Sequence, residues 1–258
     1  MTKSKSASDT ALFYDLRGEN ALKSQSIPRI PIAFRTPYSY VYQRIKSEVP
    51  LPARALEVGV GTGIHLLELA IQGYDCTGID ISHASLLSAQ NFFTLKKLKA
   101  QFLHGSIDHQ ELENKKFNLI LTAGTLYYLS DNDFKPFLQQ KLLPEGTFIA
   151  VETNGSNFFV NKYRAFKSRR HQHRDEESLN QLLKIKDIIQ YGKMFKKYKV
   201  IYFDCLTLLT VFFKRWPKLQ TLLLPWLKKI DFLLLNYFKL HFLAFKIVLM
   251  AKGPKVNL

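Results

Sequence analysis

Cysteine is scarce in this chain of 258 residues: Cys76 and Cys205 are the only two. Two isolated thiols give neither a disulfide framework nor zinc-ligand spacing. They are expected to be buried thiols in a reducing, cytoplasmic compartment. Long apolar runs are missing as well. Even in the most apolar part, residues 207–243, no uncharged run reaches the ~18–20 residues of a spanning helix. The start, residues 1–10, is polar and lacks the apolar segment of a secretory signal, so it reads as a frayed tail. No Gly-Lys-Ser/Thr follows a glycine loop, which excludes a P-loop. Acids run short in one part only. Residues 1–155 carry 16 Lys and Arg against 15 Asp and Glu, whereas residues 156–258 carry 21 against 6. The net charge of +16 therefore belongs almost wholly to the last part, which also holds both tryptophans, Trp216 and Trp226.

What is present centres on residues 55–82. A short apolar run is followed by Gly59, Gly61 and Gly63, then by an apolar-periodic segment stopped at Gly73, then by a second apolar run ending at Asp80. That order reads strand, glycine turn, helix, strand, acid: half of a nucleotide-binding α/β unit. Glycine lets the backbone pass close to a ligand. A strand feeding a helix through such a turn aims free N–H groups beyond the strand's C-terminal end. A carboxylate closing the next strand suits two ribose hydroxyls. In the dinucleotide fingerprint Gly-x-Gly-x-x-Gly the third glycine lies farther along. Here Gly63 is four positions after Gly59, and an acid, Glu57, sits two before it.

The pattern Glu57-x-Gly59-x-Gly61-x-Gly63, followed by Gly78-Ile79-Asp80-Ile81-Ser82, resembles the class I S-adenosylmethionine (SAM) methyltransferases. The resemblance covers about residues 54–152. It implies that the glycine loop passes under the methionine part of S-adenosyl-L-methionine and that Asp80, beside Ile81, holds the ribose. It also implies that the turn after the third strand, with Ser106, Ile107 and Asp108, meets the adenine. The acid usually found directly after the glycine is replaced by Ser106, so Ser106 and Asp108 both stay open as partners of the adenine amine.

Residues 117–122 form a near-continuous apolar run, as expected of a buried parallel strand. It ends at Thr122, in the cofactor-binding set, and leads to Tyr127 and Tyr128 on the substrate side. No Asn/Asp-Pro-Pro-Tyr follows, so the motif for methylating adenine amines is absent. No Pro-Cys offers a nucleophile for pyrimidine C5, and no acid ends the strand as in metal-dependent catechol enzymes. The catalytic candidates are Tyr127 and Tyr128, which either face the cofactor or pack in the core, and Glu152, which either acts as a base or fixes its loop. His171 and His173 flank Gln172, but no third ligand is evident, so no metal is expected.

The expected fold is α/β: a Rossmann-like seven-stranded methyltransferase sheet with helices on both faces and a helical insert between the last two strands. Residues 1–53 form the tail and a helical cover in which Phe13, Tyr14 and Arg17 are placed to close on the cofactor. Residues 54–155 are the SAM-binding core. Residues 156–258 are a basic part completing the sheet, with a helix over 178–191, strands near 199–206 and 244–252, and the insert at 207–243, which Pro217 and Pro225 divide. The insert combines lysine, tryptophan and surplus apolar residues, as interfacial helices do. It is read as membrane contact, with a substrate lid or a dimer seam as alternatives.

Two functions follow. One is a methyltransferase acting on an oxygen or nitrogen of a small-molecule, glycan or lipid-linked acceptor, cytoplasmic and peripheral on an anionic membrane surface. The end of the chain, from Glu152-Thr153-Asn154-Gly155-Ser156-Asn157 onward, loosely resembles methyltransferases of bacterial surface-polysaccharide and lipid pathways. The other is an RNA methyltransferase or a SAM-binding nucleic-acid-binding protein, since basic residues with interleaved aromatics also suit phosphates and bases. The apolar excess favours the first. Oligomeric state is not legible.

Overall fold

The computed structural model describes residues 7–24, 29–162, 181–213 and 215–255. In chain order the elements are α1 (Ala7–Ser24), α2 (Thr36–Glu48), β1 (Arg54–Val58), α3 (Ile64–Ile71), β2 (Asp75–Asp80), α4 (His83–Leu95) and β3 (Gln101–His104). There follow β4 (Phe117–Ala123), α5 (Asp131–Lys141), β5 (Leu142–Thr153), α6 (Ile185–Lys193), β6 (Phe195–Phe203), α7 (Pro217–Phe232) and β7 (Lys246–Pro254). The strands make one seven-stranded sheet in the order β3-β2-β1-β4-β5-β7-β6. All pairs are parallel except those of β7, which runs antiparallel to β5 and β6. This is the Rossmann-like methyltransferase sheet expected, with its last two strands adjacent despite the insert.

Alternation along the strands explains the apolar runs. Leu119, Leu121, Ile149, Val151 and Val248 pack with Val41, Ile45 and Leu66 of α2 and α3. Leu56, Ile120, Phe148 and Ile247 pack on the other face with Phe134 of α5 and Tyr191 of α6. Successive residues point to opposite faces, so strands covered on both sides must be apolar throughout. The chain leaves β1 toward β2 and β3, then returns to place β4 on the other side of β1. At that reversal a crevice opens beyond the strands' C-terminal ends.

The region after β6 winds into a 3-10 segment (Leu206–Phe213), α7, a π-helical turn (Leu233–Tyr237) and a 3-10 turn (His241–Leu243). Its base is tied by one acid. Asp231, buried at the end of α7, accepts from the N–H groups of Cys205 (2.9 Å), Leu206 (2.7 Å) and Thr207 (3.1 Å) and from the Thr207 hydroxyl (2.7 Å). Asn236 caps the edge of β6: its Oδ1 accepts from Tyr202 N (3.1 Å) and its Nδ2 donates to Tyr202 O (3.0 Å). Asn154 and Asn157, in the loop after β5, donate to the carbonyls of Leu243 and Ala244 where the insert returns.

Two expectations are corrected. Pro225 does not divide the insert; it lies within α7 on an exposed face, where the carbonyl left without a donor is open to water. Of the helix expected over 178–191, residues 178–180 lie outside the described residues, 181–184 are not helical, and the helix runs Ile185–Lys193, where the Asp187 carboxylate accepts from Lys184 N at 2.9 Å. Arg164, Arg169, Arg170, His171, His173 and Arg174 lie outside the described residues. Both cysteines are free, Cys76 buried and Cys205 half-buried.

Candidate functional site

A cavity of about 760 Å³ occupies the crevice, and its lining starts with the glycine loop. Gly59, Gly61 and Gly63 all have positive φ, at 75°, 51° and 78°. The loop is pinned from both sides. Gly59 N and Val60 N donate to Ile79 O at 2.8 and 3.2 Å. Asp80 Oδ2 accepts from Gly61 N at 2.7 Å, and Oδ1 accepts from Ser82 N at 2.9 Å. Burial pushes the Asp80 carboxyl up, while the Ser82 and Gly61 N–H groups pull it back. Each of its oxygens keeps a lone pair for a further donor.

The two glycines whose added Cβ would meet nothing within 4 Å, Gly61 and Gly124, both line the cavity. Gly59 differs: a Cβ there would come within 2.2 Å of Thr125 Oγ1, so it lets two loops approach. Ile81, Ser106, Ile107, Tyr127 and Tyr128 are further expected residues that line the space.

Several other expected residues lie elsewhere. Glu57 is fully buried in β1 beneath the loop, and burial holds its carboxyl well above the usual carboxylate range. It does not line the cavity. Gly63 opens α3 and packs on Ala89. Thr122 is buried inside β4, and Asp108 points away on the surface. Of the two residues left open for the adenine edge, Ser106 is the one in the lining. Glu152 is also outside it. Its Oε1 accepts from Thr125 N (3.2 Å) and Leu126 N (3.0 Å), which fixes the loop carrying Tyr127 and Tyr128. Burial pushes its carboxyl up to about 7, against the pull of Lys246 and those N–H groups.

The cavity's roof comes from α1. Asp15 accepts from Ser82 Oγ (2.7 Å) and Ala84 N (3.1 Å), which seats α1 on the start of α4. Gly18 lets the two helices touch, since a Cβ there would lie 2.4 Å from Ala84 backbone. Tyr14 then reaches Tyr128, hydroxyl to hydroxyl at 3.4 Å, and Tyr14 and Arg17 enter the lining. Phe13 stacks edge-on to Tyr14 instead of lining the space.

Sequence reasoning passed over Tyr38, His65, Thr153 and Lys246, which line the same cavity. His65 lies in the α3 segment that reads as an ordinary core stripe. Lys246 is a lone cation opening an apolar strand, where a covered side chain must be buried with its charge, but nothing in the sequence joins that position to the glycine loop or α3.

Residues 55–142 match the model of a family described as "Methyltransferase domain". The chain is similar to the ubiquinone biosynthesis O-methyltransferase of Rickettsia bellii (strain OSU 85-389), with 26% identity over 120 residues, 45% of this chain and 49% of that protein. With the corresponding protein of Rickettsia prowazekii (strain Madrid E) it shares 28% over 119 residues, 45% and 46% of the two chains. The chain thus spans about half the length of the curated relatives it matches. Among solved structures, the plantazolicin methyltransferase BpumL in complex with SAH superposes with a TM-score of 0.59 at 13% identity, covering 97% of this chain and 92% of that one. The methyltransferase domain of bacterial-CtHen1-CN gives 0.53 at 12% identity, covering 85% and 99%. At such identity these two speak for the fold alone.

Fold and glycine-loop geometry define a nucleotide-binding α/β domain of the doubly wound kind. With the family match, residues 55–142 are a class I SAM-dependent methyltransferase domain, and SAM is its cofactor. The residues present fit that group. Two Cβ-free positions open the cavity wall, and Asp80 has acceptor capacity left for hydroxyls. When bound, SAM supplies an electrophilic methyl carried on a sulfonium.

Proposed function

We propose that this protein transfers a methyl group from SAM to an oxygen of a small-molecule, glycan or lipid-linked acceptor, at the surface of an anionic membrane. The observation that carries the catalytic half is the meeting of Asp80, Gly61 and Gly124 around one cavity at the reversal of the sheet. In this reading Gly59, Gly61, Asp80, Ile81, Ser106 and Ile107 hold the cofactor, and Glu57, Gly63 and Thr122 brace them from below. Tyr14, Arg17 and Tyr128 close the space. The chain's contribution to rate is alignment and exclusion of water. An oxygen acceptor is supported by the name of the curated relatives, O-methyltransferases.

The membrane half rests on α7. Leu219, Leu222, Trp226 and Ile230 are exposed at helical spacing, with Trp226 at 65% and Leu222 at 66%. Lys218 and Lys229 flank them, and Lys229 Nζ lies 5.4 Å from the Trp226 ring. An apolar stripe edged by cations suits an anionic leaflet. A phosphate-tracking surface would put the cations on the stripe itself, so nucleic acid is the weaker reading. Among the described residues no helix is long and apolar enough to cross a membrane.

Two measurements test the two halves. Calorimetry should show saturable SAH binding; its absence ends the catalytic reading. Sedimentation with vesicles containing phosphatidylserine should carry the protein down, and Leu222→Ala with Trp226→Ala should weaken that by about tenfold or more, given roughly 25 cal/mol per Å² of buried apolar area. An intact protein that never sediments makes the insert a lid or a dimer seam.

A further inference from the structure

Lys246 opens β7 beside Thr153 of β5, and it is only 8% exposed. An ammonium has three N–H donors. One reaches Thr153 Oγ1 at a long 3.3 Å. Its other contacts among the described residues are the ring faces of Tyr38 and Phe245, each 5.8 Å away. No carboxylate of the described residues lies within ion-pair distance of it. A buried cation with unfilled donors is costly unless something supplies acceptors. Lys246 lines the cavity of the methyltransferase site, so that is where an acceptor can stand.

Its neighbour adds a second donor. His65 lines the same cavity, stacked on Tyr38 with ring centroids 4.6 Å apart. The Tyr42 hydroxyl lies 2.5 Å from His65 Nδ1 and has no other hydrogen-bond partner among the described residues. Burial pushes that hydroxyl far above its ordinary range, so it keeps its proton; in the tautomer in which it donates to Nδ1, the ring's own proton sits on Nε2. Burial and the Lys246 charge push His65 down to about 3. The imidazole is thus neutral near pH 7, and in that tautomer its Nε2–H is a donor.

We infer that Lys246, with His65, forms an acceptor-binding subsite for a carboxylate, and that the methyl acceptor is an organic acid with a planar or aromatic body. The inference rests on the methyltransferase reading of the same cavity and names the substrate class it takes. A monoanion fits better than a phosphate. Lys246 is a single cation whose field is already shared with Glu152 and Asp204, so the positive charge left for a ligand is small. The planar body follows from the walls, where Tyr38, His65, Tyr127 and Tyr128 contribute rings. Were Lys246 instead to hold the carboxylate of the cofactor's own methionine part, no benzoate would bind once SAH is in place. Its remaining role is purely internal, as counter-charge to Glu152 and Asp204. It predicts lost stability on replacement but no ligand preference.

The test uses benzoate and benzamide, matched in shape and differing in charge, titrated into the intact protein saturated with SAH. Calorimetry or ligand-observed NMR gives the affinities. Benzoate should bind about tenfold or more tightly than benzamide, the scale of one charge-assisted contact. Lys246→Met should abolish the difference, and Lys246→Arg should retain part of it. Equal binding of the two probes, absence of benzoate binding while SAH binds, or a preference surviving in Lys246→Met each overturns the subsite and leaves the cofactor reading standing. Failure to bind SAH overturns both. If Lys246→Met does not fold, the comparison of the two probes on the unaltered protein and on Lys246→Arg still decides.

Discussion

The cofactor half of the molecule and the insert use their carboxylates in opposite directions. Asp80 turns part of its acceptor capacity inward, to Gly61 N and Ser82 N, and leaves the rest facing a cavity. Asp231 spends everything inward: four donors from residues 205–207 converge on it and it is 3% exposed. The apolar side chains divide the same way. In the core they are covered on both faces of the sheet, whereas α7 shows Leu222 and Trp226 to solvent. A carboxylate with spare lone pairs beside a cavity is a place for a ligand. One that is saturated is a structural pin, and the surface it pins is what meets a partner.

The largest expected effect separates these two carboxylates by function. Asp80→Ala should weaken SAH binding by about a hundredfold, because charge-assisted hydrogen bonds are worth roughly 1.5–3 kcal/mol each and the loop also loses its pin at Gly61. Calorimetry reads this directly. Asp231→Ala should leave SAH affinity within about twofold, and an equal loss in both variants breaks the distinction.

Asp231→Ala should instead loosen the insert. Three N–H groups and a hydroxyl lose their acceptor, a cost of about 2–4 kcal/mol once water takes some of them. Hydrogen exchange should speed up over residues 205–213 and 217–243 and stay unchanged in β1 and β4. Uniform acceleration would mean that the insert and core unfold as one unit.

Those two acids also show what was legible in the sequence. The placement of Asp80 was readable because it is local: it closes the strand after a glycine turn, and spacing alone puts it beside the loop. The sheet was readable for the same reason, since two-sided burial demands the near-continuous apolar runs at 117–122 and 148–151. Asp231 was not readable, because the donors it serves lie more than twenty residues away and only the folded insert brings them together. Lys246 and His65 failed to stand out for a like reason: the cavity joins the start of β7 to α3, and no periodicity links them. Glu57 shows where spacing stops being informative. It fits the family pattern, but only the fold shows that it is fully buried in β1 and outside the cavity lining.

A smaller effect concerns pH, and it has a share in each half. Glu152 in the core and Asp204 at the base of the insert are both pushed up to about 7 by burial, Asp204 also by the nearby Asp231. A carboxyl raised in the folded state binds its proton more tightly there than in the unfolded chain. The stabilisation is fully present below the unfolded value, and it is lost as pH rises through about 7. Stability should therefore fall between about pH 5 and 7.5, with a slope of about 1.4 kcal/mol per pH unit from each of the two groups. Denaturant melts at several pH values measure it. Asp204→Asn should remove the insert's share of the slope and Glu152→Gln the core's; a slope that survives in the double variant belongs to other groups.

The smallest effect tests whether α7's cations act on lipid. Lysines near an anionic leaflet contribute roughly 1 kcal/mol each and are screened by salt. Lys218→Gln with Lys229→Gln should therefore lower binding to phosphatidylserine vesicles by about tenfold at low ionic strength, and by about threefold or less at 0.5 M salt. SAH affinity should not move, because neither lysine lines the cavity. The apolar contribution of Leu222 and Trp226 does not fade with salt, so the two kinds of replacement should part company as salt rises. If removing the lysines costs the same at every salt concentration, they serve the helix rather than the leaflet. Lys229 would then matter for its contact with the Trp226 ring, 5.4 Å away. If vesicles without anionic lipid bind equally well, the apolar stripe alone makes the contact and the charge of the C-terminal part needs a different partner.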